Sequence, residues 1–558
     1  MKRLSLFILL LTWSCSHRAE PVSEILLIHG GTILTARPGA PEVGCLAIAN
    51  GLILASGSEP QMRKWYPDAR SYNLEGRTLV PGFVDAHVHV QQFGRNQLKA
   101  DLTRTESVAE MVTQLQKFYP APKKGEWLIG QGWDEGVWAS RGYPDRAELD
   151  AAFPHNPIML ASLHGFAGFV NGQALAAAGI NRNTPDPEVG QILRREDGEA
   201  SGVLLTLAQG LVSRHIPEDT IAQHKKAILT GLEALSGEGV TSIHEAGMDG
   251  KQLDAFRQLA EEGALPVRVY GMLNGNNDAL METWFASGPL IDPDVFFSVR
   301  GIKVFYDGSL GSRTALLQAP YTDKPDEANM TERISMEKMR GLAENAAQNG
   351  FQMAVHAIGD EANRRVLRMY QSVLEKHPDL DHRWRIEHAQ VVFPSYYGKA
   401  RALGVVSSMQ PSHAVGDSKW AEDRLGPERI LNAYAPRSVL DAKGYLTLNS
   451  DLPGEPWTPM QTLYFAVTRK DLAGNPPGGW YPNQALSVDQ ALTAMTYGGA
   501  HAAFQESRIG RLTPGSFADF AELDGNPRTC QPDEIKDIKV VKTWLAGKPL
   551  WGEAGGGQ

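Results

Sequence analysis

The chain has 558 residues, of which 42% are apolar and 21% charged, with a formal net charge of −10 at pH 7. This balance describes a folded protein with a large core, and 56 Gly with 34 Pro are too few for a collagenous or disordered chain. The acidic charge argues against a nonspecific nucleic-acid surface, which needs a basic footprint, and no nucleic-acid-binding motif is visible.

The first twenty residues read as a targeting segment. Lys2 and Arg3 precede an apolar run from Leu4 to Leu11, followed by Ser14 and Cys15. The run is too short to span a bilayer and reads as a signal for export. A small residue before Cys15 also resembles a lipoprotein cleavage site, which predicts a periplasmic or membrane-anchored protein. Thr12 and Trp13 depart from that pattern, so a hydrophobic extension on a cytoplasmic enzyme stays open. The three Cys (Cys15, Cys45 and Cys530) cannot make a Cys-rich metal site. If Cys15 carries lipid, one pair is left that an oxidising compartment could join.

Residues 25–80 alternate apolar runs with Asn-Gly and Gly-Gly turn signals, as in "EILLIHGGTILTA" and "CLAIANGLILASG". Residues 505–552 repeat that style in "GSFADFAELD" and "IKVVKTWLAGKPLW". The two ends together predict one composite β-sandwich. Residues 81–504 alternate strand and helix patterns, which predicts a TIM-type (β/α)8 barrel. Eight strands are expected to begin near Gly82, Val240, Pro266, Gly301, Phe351, Trp384, Gly404 and Tyr445. The first gap is too long for one helix, so residues 95–235 are expected to be an insertion. A doubly wound sheet is the competing architecture, but its Gly-x-Gly-x-x-Gly fingerprint is absent.

Chemistry-bearing residues fall at the predicted strand ends. In "LVPGFVDAHVHV", His87 and His89 are two apart and so project to one side of a strand. Lys303 lies inside an apolar strand in "GIKVFYDGSLG", where an amine is costly unless paired; Asp307 is one available partner. His356 follows an apolar strand in "MAVHAIGDEAN", His388 ends "WRIEH", and Asp451 ends "YLTLNSD". Singly, each has an ordinary explanation: a core histidine, a bond to Glu387 or Arg385, a turn cap. Jointly they bring four imidazoles, one carboxylate and one amine to a single barrel mouth.

These phrases, with "IKVFYDGSLGSRTA", "HAIGDEA", "RIEHAQ" and "GRLTPGSFADF", resemble the amidohydrolase superfamily, in its YtcJ-like branch (amidohydrolase family 3). The resemblance runs from about residue 25 to 552. It implies a barrel with a composite β-sandwich, and ligation of one or two divalent ions by His87, His89, His356 and His388 with Asp451 beside them. It also implies that Lys303 matches a lysine carboxylated in binuclear members, where it bridges the metals. Such a donor set suits zinc first, with manganese or iron behind it. No organic cofactor is inferred.

The implied reaction is hydrolysis of an amide, formamide or N-acyl amine by metal-activated water, with Asp451 as general base and then general acid. The competing readings are an ester, lactone or phosphoester hydrolase on the same centre, and a secreted binding protein on an inactive scaffold. Candidate substrate-lining residues are Trp133 and Asp134 in "QGWDEGVW", His164 and Phe166 in "LHGFAGFVN", and Asp307, Arg313 and His413. Relatives often carry a His where this chain has Phe166, which leaves the small-molecule substrate open. His244, at the end of the second predicted strand, has no role that the resemblance transfers.

Overall fold

The computed structural model describes residues 24–139, 142–326 and 332–552. The segment that the sequence predicts to direct export lies outside them, with Cys15. Eight parallel strands form one sheet in chain order. They are β1 (Phe83–Val88), β2 (Val240–Met248), β3 (Arg268–Asn274), β4 (Phe297–Phe305), β5 (Gln352–Ala357), β6 (Arg385–His388), β7 (Val406–Met409) and β8 (Tyr445–Leu448). The ring closes just beyond the ends of β1 and β8. Asp451 N–H donates to the His87 carbonyl (3.0 Å), and His89 N–H donates to the Leu452 carbonyl (3.1 Å). This is the predicted (β/α)8 barrel.

The strands are buried on both faces, so they read as apolar runs rather than alternating ones. Their outward residues meet amphipathic helices. In the helix Asp360–Leu374, the side chains of Ala362, Val366, Met369, Tyr370 and Val373 are buried, while Arg364 and Arg365 lie on the more exposed face. Asp360 and Glu361 occupy its first turn, where negative charge complements the helix dipole.

Two bodies flank the barrel. The first is a mixed eight-stranded sheet made by both ends of the described chain, in which Thr78–Pro81 pairs antiparallel with Phe520–Leu523. It folds over its own apolar core of Ile28, Ile33, Leu46, Leu79, Phe520 and Trp544. Arg268, at the start of β3, ties this body to the barrel through Asp519, with Nε to Oδ2 at 2.7 Å. The second body is a six-stranded sheet running from Ala100 to Thr206, with a separate core that includes Leu115, Trp133, Phe153 and Phe169. The helices on either side of it, Val90–Gln97 and Ile221–Gly237, pack against each other at Gly94 and Gly231. A methyl group on Gly94 would collide with the Ala227 carbonyl.

Cys45 and Cys530, the one pair that could have been joined, are free. Cys45 is sealed among Leu27, Ala47, Ala55 and Met62, whereas Cys530 packs at the edge of the barrel core. Among the described residues, no helix is long and apolar enough to cross a membrane.

Candidate metal centre

The barrel mouth gathers its donors through strand alternation, broken at two points. On β1, Val88 enters the outer core, while His87 and His89 face the mouth with ring centroids 5.6 Å apart. On β6, Ile386 faces the outer core, and regular alternation would carry His388 with it. His388 has φ +74°, which turns its ring inward to 5.3 Å from His87 and 4.5 Å from His356. Asp451 is the second left-handed residue, at φ +53°. Such conformations cost roughly 1–3 kcal/mol each outside glycine and persist where the surroundings enforce them.

The Asp451 carboxylate stands between two pairs of imidazoles. Its Oδ1 is 3.6 Å from His87 Nε2 and 3.4 Å from His89 Nε2. Its Oδ2 is 3.8 Å from both His388 Nδ1 and His413 Nε2. Each pair makes a trio of donors with Asp451. Two ligand atoms bound at ~2.0–2.1 Å around a tetrahedral ion stand about 3.3–3.4 Å apart, close to the separations on the His87–His89 side. Burial opposes ionisation of Asp451, but His87, His89, His388 and His413 outweigh it and hold the carboxyl well below its usual range.

The imidazoles are prepared as neutral ligands. Burial, then the Lys303 charge, pushes His87 down to about 4 and His356 to about 3. Burial does the same to His388. His87 Nδ1 donates to Glu387 Oε2 at 2.5 Å, which leaves the Nε2 lone pair facing the mouth. His356 Nε2 donates to the Gly308 carbonyl at 3.0 Å, while its Nδ1 is buried without a partner. An unpartnered buried lone pair is costly to leave bare and fits a metal ligand. The residues present therefore fit a divalent cation.

Lys303 sits on β4 with Nζ 2.8 Å from His87 Nε2 and 4.4 Å above the Phe305 ring. Burial lowers its pKa to about 8. The available pairing with Asp307 does not form. That carboxylate accepts the backbone N–H groups of Leu316, Ile358 and Gly359 at 2.9–3.0 Å and so braces loops, with its Oδ1 3.5 Å from His356 Nε2.

The sequence model of the amidohydrolase family matches residues 70–551. The chain belongs to the amidohydrolase family. It is similar to YtcJ of Bacillus subtilis (strain 168), at 32% identity over 537 residues covering 94% of this chain and 98% of that one. It is also similar to an N-substituted formamide deformylase of Arthrobacter pascens, at 27% identity over 519 residues covering 90% and 93%. An uncharacterised metal-dependent hydrolase from Pyrococcus horikoshii OT3 superposes with a TM-score of 0.75 at 26% identity, covering 91% and 99%.

In this amidohydrolase a run of buried hydrogen bonds passes beneath the donors. Arg385 lies 2.7 Å from Glu387 Oε1 and donates to Glu387 Oε2, Ser408 Oγ and the Ala86 carbonyl. Ser408 also accepts from Asn449, whose Oδ1 accepts from Gln410 Nε2 at 2.7 Å. Gln410 Oε1 then accepts from His388 Nδ1 at 2.9 Å. The series fixes one proton on His87 and one on His388. Arg385 also donates to His244 Nδ1 at 2.8 Å, which assigns His244 to this support.

Two further carboxylates position the donors. Asp85 accepts from the Ser450 N–H (3.0 Å) and hydroxyl (2.5 Å), which anchors the residue before Asp451. Glu245 accepts from Val90 N–H at 2.8 Å and so holds the helix that starts beside His89. Of these supports, the sequence raised Arg385 and Glu387 only as partners for His388, and His244 without a role. The available signal was charge inside apolar strands, as in the Arg-x-Glu of "WRIEH".

The other lining candidates make contacts of their own. Trp133 is fully buried, with Nε1 donating to the Leu160 carbonyl, and anchors the core of the inserted sheet. Asp134 accepts from Gly136 N–H and closes a turn. His164 accepts from Phe166 N–H, and Phe166 is 68% exposed. Arg313 pairs with Asp323 at 2.6 Å. A void of about 10 Å³ beside His388 and His413 is walled by Gln390, Met409, Gln410, Tyr434 and Arg469.

Proposed function

We propose that this amidohydrolase hydrolyses the C–N bond of a formamide, N-acyl amine or related amide. The observation that carries the reading is the Asp451 carboxylate, with one oxygen toward His87 and His89 and the other toward His388 and His413. The likeness to an N-substituted formamide deformylase supports the choice of bond. His87, His89, His356, His388, Asp451 and, as its carbamate (N6-carboxylysine), Lys303 would hold two divalent ions, zinc by donor chemistry. A buried lysine with its pKa near 8 supplies the neutral amine that adds CO2.

When bound, such ions polarise a carbonyl and lower the pKa of water to ~7. Asp451, held ionised, accepts the proton released as water attacks the carbonyl carbon. It returns that proton to the nitrogen as the C–N bond breaks. One water is consumed, and a carboxylate and an amine leave. His413 Nε2, at 3.8 Å from Asp451 Oδ2, stands where it can donate to the developing oxyanion.

The test is amine release from N-substituted formamides and N-acyl amines by the metal-loaded protein, with metal content read alongside. Turnover confined to lactones or phosphotriesters would overturn the assignment. Lys303→Ala is expected to lower bound metal from two ions towards one, and an unchanged content removes Lys303 from the centre.

We also propose that Lys2, Arg3 and the apolar run to Leu11 direct export, with lipid on Cys15 holding the enzyme at the membrane, facing the periplasm. Cys15→Ser is expected to move it from the membrane fraction to the soluble periplasmic one. Membrane retention in that variant would exclude the anchor.

A further inference from the structure

Among the described residues, His413 makes no hydrogen bond of its own. Its ring stacks on His388, with centroids 5.8 Å and planes 18° apart, and its Nε2 stands 3.8 Å from Asp451 Oδ2. Its place is therefore set by the helix that carries it, Pro411–Asp417. Seven residues make about two turns, too few for a helix to hold itself in water, so tertiary contacts must fix it.

Both ends of this helix are tied to the segment around His388. At its start, Gln410 accepts from His388 Nδ1 at 2.9 Å and donates to Asn449 at 2.7 Å. At its end, Asp417 Oδ2 accepts from the Tyr434 hydroxyl at 2.7 Å and from Gln390 Nε2 at 3.0 Å. Gln390 Nε2 also donates to the Tyr434 oxygen at 2.7 Å, which closes a ring of three side chains. Gln390 and Tyr434 are buried, so water does not compete for these bonds. Burial and then the Asp417 charge push the Tyr434 hydroxyl well above its usual range, so it remains a proton donor. The Tyr434 backbone is fixed as well. Its N–H donates to the Gln390 carbonyl at 2.7 Å, and its φ is left-handed at +51°, a conformation that persists where the surroundings enforce it.

We propose that Tyr434 is a positioning residue for His413: acting through Asp417, it holds the far end of the helix so that the imidazole meets the oxyanion of the reacting amide. Without this clamp the helix is anchored by Gln410 alone, and His413 swings about that end. A misplacement of ~1 Å at a reacting group can cost ~100-fold in rate. Loss of the hydroxyl alone leaves Gln390 on Asp417, so its effect is smaller. The proposal rests on the C–N hydrolase reading, and its test separates the two.

The variant is Tyr434→Phe, which removes the hydroxyl and keeps the ring that packs 5.2 Å from Trp480. On the zinc-loaded enzyme, kcat for N-substituted formamides is expected to fall about 10-fold, the scale of one hydrogen bond to a charged group, with KM and metal content unchanged. That loss should vanish when His413→Gln is already present, because a residue that acts through His413 then has nothing to position. NMR of the protein labelled with 15N-histidine gives a readout independent of turnover. The His413 resonances, identified by their loss in His413→Gln, should move in Tyr434→Phe, while those of histidines outside the barrel mouth stay. An equal rate loss with and without His413, a fall in metal content that matches the fall in rate, or unmoved His413 resonances each overturn the proposal. Should Tyr434→Phe not fold, Asp417→Asn is read in the same way. Moved His413 resonances in a protein that turns over no amide would sink the hydrolase reading and leave the positioning role standing.

Discussion

Asp451→Asn is expected to lower turnover by at least ~100-fold while metal remains bound, the scale of a lost general base. Asparagine keeps the shape and one oxygen of the carboxylate, and it tolerates the left-handed backbone that Asp451 adopts at φ +53°. The surrounding His87, His89, His388 and His413 stay in place. What disappears is the anion those imidazoles hold ionised, and with it the acceptor for the water proton. Steady-state kinetics with metal analysis on the same preparation checks the result. Turnover near the wild-type rate removes Asp451 from proton transfer. A rate loss matched by metal loss makes it a ligand alone.

Glu387→Gln tests the support beneath the metal. Glu387 orients His87 through the 2.5 Å hydrogen bond and balances Arg385 at 2.7 Å, all within the barrel interior. Burial disfavours its charge, yet Arg385 and then His87 hold the carboxyl well below its usual range. Neutralising it leaves Arg385 buried and unpaired, which costs roughly 3–5 kcal/mol of stability. It also weakens the orientation of His87, for which a 10–100-fold fall in metal affinity is the usual scale, roughly. Thermal unfolding of the metal-free protein and competition against a chromogenic chelator read the two effects apart. Adding Arg385→Met should recover stability but not affinity. Unchanged stability and affinity in Glu387→Gln would refute the supporting role.

The barrel was legible because its signals are local. A buried parallel strand is an apolar run between turn residues, and β1 to β8 begin within a few residues of the predicted starts. His87, His89, His388 and Asp451 were legible because each ends such a run, and the structure brings them together. Lys303 and His356 are placed beside them.

The partners of these residues were harder to see. Glu387 meets His87 across 300 positions of chain, and no periodicity encodes that distance. His413 stood out only as a lining candidate, because it lies in a short helix, Pro411–Asp417, rather than at a strand end. Trp133 and Asp134 were offered as lining candidates from the likeness of "QGWDEGVW" to a family phrase. The structure ends an interior strand at Trp133, whose side chain packs in the separate core of the inserted sheet, and puts Asp134 in the turn that follows. Phe166, a bulky apolar residue, sits on an exposed turn.

The hydrogen bonds of Asp451 to His87 and of His89 to Leu452 place the donors astride the seam where the first strand of the barrel meets the last. During synthesis, a ribosome that has delivered His87, His89 and His388 has yet to deliver the carboxylate they surround. The ion therefore has no complete seat until nearly all the chain has emerged, and once captured it would rivet the two edges of the ring.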